Sequence, residues 1–135
     1  MANPTVATSL TWQGDLRFLA TTGGGEVTLD GNSTAGPSPV EALAFSLASC
    51  MAADVVDILV KGRHQLLALR ADLVAERAPD PPRRVLRATL RFALRGNMPA
   101  TAIDRAIALS RDKYCSVWHS LRSDIELLTS YEVES

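Results

Sequence analysis

The chain has 135 residues, a formal net charge of −1, 47% hydrophobic and 21% charged residues. That is one globular domain with room for a core, not a disordered chain, and its near-neutral charge excludes a wholesale nucleic-acid binder. Two cysteines and two histidines are too few for a disulfide scaffold or a zinc site.

In chain order, residues 1–31 read as a three-stranded meander. Short β-leaning runs at 5–12, 16–21 and 26–30 lie between turn signals at Gly14-Asp15, Gly23-Gly24-Gly25 and Asp30-Gly31. The first ten residues lack a basic segment followed by an apolar one, so no secretory signal is expected and the chain is expected to be cytoplasmic. Residues 31–37 read as a loop. Ser38-Pro39-Val40-Glu41 then opens a helix over 38–62. Ser38 is its N-cap, Pro39 takes the first helical position, Glu41 can close a capping box and Gly62 is the stop. The longest charge-poor run, 43–53, is too short to span a bilayer, so no membrane partner is expected. That run is apolar or small on every side, the mark of a buried helix. A domain this small does not easily supply the surface to bury it, which predicts packing against a second copy of the chain.

A hairpin over 67–95 follows, turned at 79–82. Leu67, Leu69, Ala71, Leu73 and Ala75 alternate with Arg70, Asp72 and Glu76, Val74 being out of step. Leu86, Ala88, Leu90, Phe92 and Leu94 alternate with Arg87, Thr89, Arg91 and Arg95. Period two with one wet face indicates antiparallel strands. Asn97 and Pro99 open a second helical region over 98–122, with Ile103, Ala106, Ile107 and Ser110 on its buried face and a break at Tyr114-Cys115-Ser116. Alternation of Ile125, Leu127, Thr129, Tyr131 and Val133 predicts a last strand over 125–134. The order βββ-α-ββ-αα-β groups its strands, which indicates a single α+β domain over 1–135 with a largely antiparallel sheet, not a doubly wound nucleotide binder.

Few residues are chemically suggestive. Cys50 lies midway along the apolar helix among Ala48, Ser49, Ala52 and Ala53, small residues that let other groups approach. Cys115 lies at a helix junction, where the unpaired N–H groups of a helix starting at Ser116 would favour a thiolate. Spacing alone also admits, and slightly favours, the plainer reading of two buried thiols acting as small hydrophobes. His119, one turn after Cys115, could activate it, against the stronger reading of a partly exposed helix histidine. Asp54, one turn after Cys50, could accept a hydrogen bond or oppose a thiolate by like charge. Asp57 falls nearer solvent, Trp12 and Trp118 read as core or interface fillers, and His64 as helix-end surface. Arg83, Arg84, Arg87, Arg91 and Arg95 form a basic strip that reads as a solvated sheet face before an anion site. Gly23-Gly24-Gly25 has no following helix and is not a phosphate loop.

Ser38-Pro39-Val40-Glu41-Ala42-Leu43, Ser46-Leu47-Ala48-Ser49-Cys50 and Asp54-Val55-Val56-Asp57-Ile58-Leu59-Val60-Lys61-Gly62-Arg63 resemble the first cysteine helix of the OsmC/Ohr family. Lys113-Tyr114-Cys115-Ser116-Val117 resembles its second cysteine motif; Thr28-Leu29-Asp30-Gly31 and Ser130-Tyr131-Glu132-Val133 fit the same pattern. The likeness covers nearly the whole chain and is greatest to the YhfA-like branch. It implies a curved antiparallel β-sheet wrapped around two central helices in an intertwined homodimer, with each active site at the subunit interface. It also implies a thiol-dependent peroxidase that reduces organic hydroperoxides to alcohols in oxidative or osmotic stress defence. Cys50 would be the peroxidatic cysteine and Cys115 would resolve it through a disulfide. Arg17, on the second strand, would be the positive partner of the thiolate. Glu41 would hold it, one place after the position counted from Pro39 and Cys50. The likeness implies no bound cofactor and no metal, only an external dithiol reductant such as a lipoyl group. An apolar wall around Cys50 suits an organic hydroperoxide as the small-molecule partner. The runner-up is a non-catalytic redox-sensing or small-ligand-binding dimer without an efficient Arg17–Glu41 pair; a structural dimer with inert thiols ranks last.

Overall fold

A computed structural model describes residues 4–134; residues 1–3 of the predicted meander, and residue 135, lie outside that description. The chain forms two compact units, divided between Leu43 and Ala44.

In the first unit, β1 (Ser9–Trp12), β2 (Arg17–Thr22) and β3 (Gly25–Asp30) form an antiparallel meander in the order β1-β2-β3. The first strand is shorter than the predicted 5–12. The following loop is knotted around one side chain. The Asp30 carboxylate accepts bonds from the N–H groups of Asn32 (2.9 Å) and Ala35 (2.9 Å) and from the Thr34 hydroxyl (2.7 Å). These donors, the two N–H groups foremost, hold its pKa at about 2 although the residue is buried. The loop lies so close to β3 that a Cβ on Gly36 would stand 2.2 Å from the Thr28 carbonyl oxygen. Helix α1 (Pro39–Lys61) starts in this unit with the predicted capping box. The Glu41 carboxylate accepts from the Ser38 N–H at 2.9 Å and the Ser38 hydroxyl accepts from the Glu41 N–H at 3.2 Å.

The second unit holds the rest of α1, then β4 (Gln65–Arg77), β5 (Val85–Asn97), α2 (Ala100–Leu109), a π-helical segment (Ser110–Tyr114), α3 (Ser116–His119) and β6 (Glu126–Glu134). Its sheet runs β4-β5-β6. β4 and β5 pair antiparallel, but β6 joins β5 in parallel. The described residues therefore form two three-stranded sheets, the second of them mixed, where one largely antiparallel sheet was expected. The cause is topological: the helical segments between β5 and β6 return the chain to the starting end of β5, and a crossover of that length makes a parallel neighbour.

α1 buries Leu47, Met51, Val55 and Leu59, spaced one per turn, in a core shared with Ala88, Leu90, Phe92 and Leu94 of β5 and Ile103, Ala106 and Ile107 of α2. Burying each of the larger side chains is worth roughly 1.5–3 kcal/mol. By length and composition α1 could cross a bilayer; here it is the core helix of this unit, and only one stripe of it is covered. Phe45 (66% exposed), Val56 and Val60 stay uncovered. The helix stops at Gly62 as predicted, but the left-handed residue at its end is Arg63 (φ 62°), not the glycine. A bulge between Leu66 and Ala68 in β4 turns Leu67 outward against the predicted alternation and brings Leu66 to the core side.

Three arginines of the basic strip are paired with carboxylates where they stand. Arg87 lies between Glu76 of β4 (3.3 Å) and Glu126 of β6 (3.5 Å), Arg91 pairs with Glu132 (2.9 Å) and Arg84 with Asp124 (3.6 Å). Arg83 and Arg84 precede β5 rather than lying on it.

Candidate redox-active site

The second unit brings Cys50 and Cys115 together. α1 carries Cys50, half-buried, at a position flanked by small residues. The junction after α2 carries Cys115, wholly buried. A helix running straight on from α2 would not deliver Cys115 in this way. Instead the Cys115 N–H donates to the Ser110 carbonyl five residues back, at 2.8 Å, closing the π-helical turn. The backbone then becomes extended at Cys115 (φ −71°, ψ 100°), which caps α3 through a Trp118 N–H bond to its Sγ at 3.3 Å. The predicted break at Tyr114-Cys115-Ser116 is thus the feature that aims the sulfur at α1.

Cys50 packs against the core that holds Cys115 and lies close enough to act on its thiol, whose pKa is pushed from 9.0 to about 11. Burial is the main cause. The Trp118 N–H opposes it, while the nearness of Cys50 and the charge of Asp54 add to it. The sequence-based expectation that a helix start would favour a thiolate at Cys115 is overturned. The N–H donor is present, but α3 is a single short turn and the loss of water outweighs it. Neither cysteine is in a disulfide.

Behind the thiols lies a polar link that the sequence did not disclose. The Ser110 hydroxyl donates to the Asp54 carboxylate at 2.8 Å, from a fully buried position. The four-residue step from Cys50 to Asp54 was the signal for the carboxylate. Nothing in the spacing showed that Ser110 would meet it.

Arg17 and Glu41 belong to the first unit. The Arg17 guanidinium pairs with Asp15 at 3.6 Å, and its Nε is buried without a hydrogen-bond partner. The Glu41 carboxylate is occupied by the capping box and by the Ser33 hydroxyl, and these bonds, that of Ser33 first, lower its pKa. Among the described residues no ion pair joins Arg17 to Glu41. His119 is exposed, Asp57 pairs with Lys61 at the surface (3.0 Å), and Trp118 packs against the core. Trp12 is 66% exposed, not a core filler of this chain; its ring N–H donates to the Asp15 carbonyl. Among the described residues no group of three or more His, Cys, Asp and Glu could hold a metal ion.

Three relatives define the setting. YhfA of Escherichia coli K12 is 37% identical over 125 residues, covering 90% of this chain and 93% of that protein. The solved structure of a hypothetical protein from Aquifex aeolicus VF5 superposes with a TM-score of 0.90 at 28% identity, over 98% of both chains. An organic hydroperoxide resistance protein OsmC from Legionella pneumophila superposes with a TM-score of 0.72 at 14% identity, over 98% of this chain and 100% of that one; at this identity the likeness is one of fold. A model of the OsmC-like proteins matches residues 30–130, which span both cysteine motifs. With its α+β architecture and its pair of converging thiols, the chain belongs to the OsmC-like protein family.

Proposed function

We propose that this protein is a thiol-dependent peroxidase for organic hydroperoxides, with Cys50 attacking the peroxide and Cys115 resolving it. The observation that carries the reading is that one half-buried and one fully buried free thiol, far apart in sequence, share one core. The more accessible sulfur, Cys50, meets the peroxide. Its thiolate takes the distal oxygen, the O–O bond breaks, and the alkoxide leaves as the alcohol after protonation. Cys115, held protonated by its burial, then attacks the Cys50 sulfenic acid, forming a disulfide and releasing water. An external dithiol, such as a lipoyl group, returns both thiols by exchange. The family and the hydroperoxide-resistance name of a structural relative support the substrate class.

The proposal includes a cytoplasmic homodimer in which the site forms at the subunit boundary. Uncovered Phe45, Val56 and Val60 on α1 support it, as an apolar stripe of this kind is a surface awaiting a partner. In that arrangement Arg17 would stabilise the Cys50 thiolate. One observation favours the runner-up, a non-catalytic redox or ligand-binding dimer: Glu41 is committed to its cap rather than to Arg17.

Cumene hydroperoxide at about one equivalent decides between them. The peroxidase loses two hydrogens by intact mass as Cys50 and Cys115 join. Cys50→Ser abolishes peroxide consumption, whereas Cys115→Ser still turns over once and stops as sulfenic or over-oxidised Cys50. Unchanged mass, with both thiols still titratable, eliminates the enzyme.

A further inference from the structure

From Ser110 to Cys115 the chain is buried at its two ends and open between them: Ser110 and Cys115 are fully buried, while Asp112, Lys113 and Tyr114 are exposed. With so little packing of its own, this π-helical stretch is placed by its ends. Ser110 is bonded through three groups. Its N–H donates to the Ala106 and Ile107 carbonyls of α2. Its carbonyl accepts from the Cys115 N–H at 2.8 Å. Its hydroxyl donates to Oδ2 of Asp54 at 2.8 Å, and Asp54 stands one turn after Cys50 on α1. A serine within a helix commonly turns its hydroxyl back onto the carbonyl of the preceding turn; here it reaches a different helix instead. A hydrogen bond to a carboxylate is among the stronger kinds. Two successive bonds, Asp54 to Ser110 and Ser110 to Cys115, therefore join the helix of one thiol to the backbone of the other.

We propose that Ser110 and Asp54 are positioning residues for disulfide closure, their hydrogen bond tethering the π-helical turn that delivers Cys115 to the helix that carries Cys50. The inference rests on the two-cysteine reading above. In closure the Cys115 sulfur attacks the sulfenic sulfur of Cys50. The S–S bond forms, the S–O bond breaks, and the departing hydroxide leaves as water with the proton given up by Cys115. The Cys115 sulfur is oxidised and the sulfenic sulfur reduced, so no outside reagent is consumed. The tether moves neither proton nor electron. It fixes where the attacking sulfur stands, and a displacement of about 1 Å can cost a reaction roughly 10²-fold.

The test is closure without peroxide, so that it still reads out if the protein consumes none. Treating the reduced full chain with 5,5′-dithiobis(2-nitrobenzoate) places thionitrobenzoate on Cys50, and attack by Cys115 then releases it as a coloured ion. Cys115→Ser, which cannot close, identifies that second release. Ser110→Ala keeps the backbone bond to Cys115 but loses the tether: the first release is unchanged and the second slows at least about ten-fold. Asp54→Asn still offers Ser110 an accepting oxygen and closes no more than about three-fold more slowly than the wild type. Asp54→Ala offers none and slows as Ser110→Ala does. The double variant Ser110→Ala/Asp54→Ala is no slower than either single one, because both remove the same bond. A contribution to stability alone lowers the urea midpoint without changing the ratio of second to first release. Ser110→Ala and Asp54→Asn decide the matter if Asp54→Ala does not fold. Wild-type closure in Ser110→Ala, an Asp54→Asn as slow as Ser110→Ala, or losses that multiply in the double variant overturn the tether. A wild type with no second release overturns the pairing of the thiols, and the tether with it.

Discussion

Asp30 and Glu41 show how one residue type serves different ends according to its neighbours. Both carboxylates sit beside backbone N–H groups, and both are stabilised as anions. The sequence placed Glu41 in a capping box because that motif is local, spanning only Ser38 to Glu41. Asp30 was marked as the end of a strand, a turn residue and part of a family-like stretch, but not as a nested carboxylate, since a nest of donors from Asn32, Thr34 and Ala35 depends on how the loop folds back. Its pKa, lowered from 3.8 to about 2, makes a signed prediction. A depressed carboxylate stabilises the fold while ionised, so its contribution is complete above about pH 4 and is lost as pH falls through about 2. Acid unfolding followed by circular dichroism should therefore show a loss of stability across that interval. Asp30→Asn should be less stable at neutral pH and should lose less on acidification. An unchanged acid slope would show that the nest carries no linkage.

At the scale of elements, β5 was legible because its alternation is strong: Ala88, Leu90, Phe92 and Leu94 are buried where the pattern places them, while Leu86 of the same face is exposed; α1 read as apolar on every side, and the single stripe it buries was not legible. Ile103, Ala106 and Ile107 on α2, and Ser110 just after it, were legible because helical periodicity puts them on one face. What failed is what periodicity does not encode. A bulge shifts register without any signature in the alternation, which is why Leu67 faces out. The end of α1 is similar. Gly62 carries the stop signal, yet Arg63 takes the left-handed conformation (φ 62°), costing a non-glycine residue roughly 1–2 kcal/mol. Arg63→Gly should therefore raise stability by about 0.5–1 kcal/mol once the added chain entropy of glycine is offset. Urea denaturation checks this, and a destabilised variant would show that the Arg63 side chain contributes more than its backbone costs.

For the whole molecule, the uncovered face of α1 has the larger consequence. Light scattering should return the mass of two 14.5 kDa chains at micromolar concentration. Phe45→Asp should shift it toward one, since a charge at a 66% exposed position costs the lone chain no more than about 0.5 kcal/mol but is costly when buried against a partner. A wild-type chain that stays monomeric would refute the dimer. By itself, the amino-acid order determined the class of fold, the order of its elements, the buried faces of β5 and α2, and the two motifs that mark the family. These are properties of neighbours a few residues apart, written in period and in short motifs. Only the tertiary structure decided that Cys50 and Cys115 meet, that a π-helical turn delivers the second thiol, that burial outweighs a helix start in setting its pKa, and that Ser110 holds Asp54 beside it. Those facts depend on residues far apart in sequence being brought into one water-poor space, where the cost of charge is set by what surrounds it.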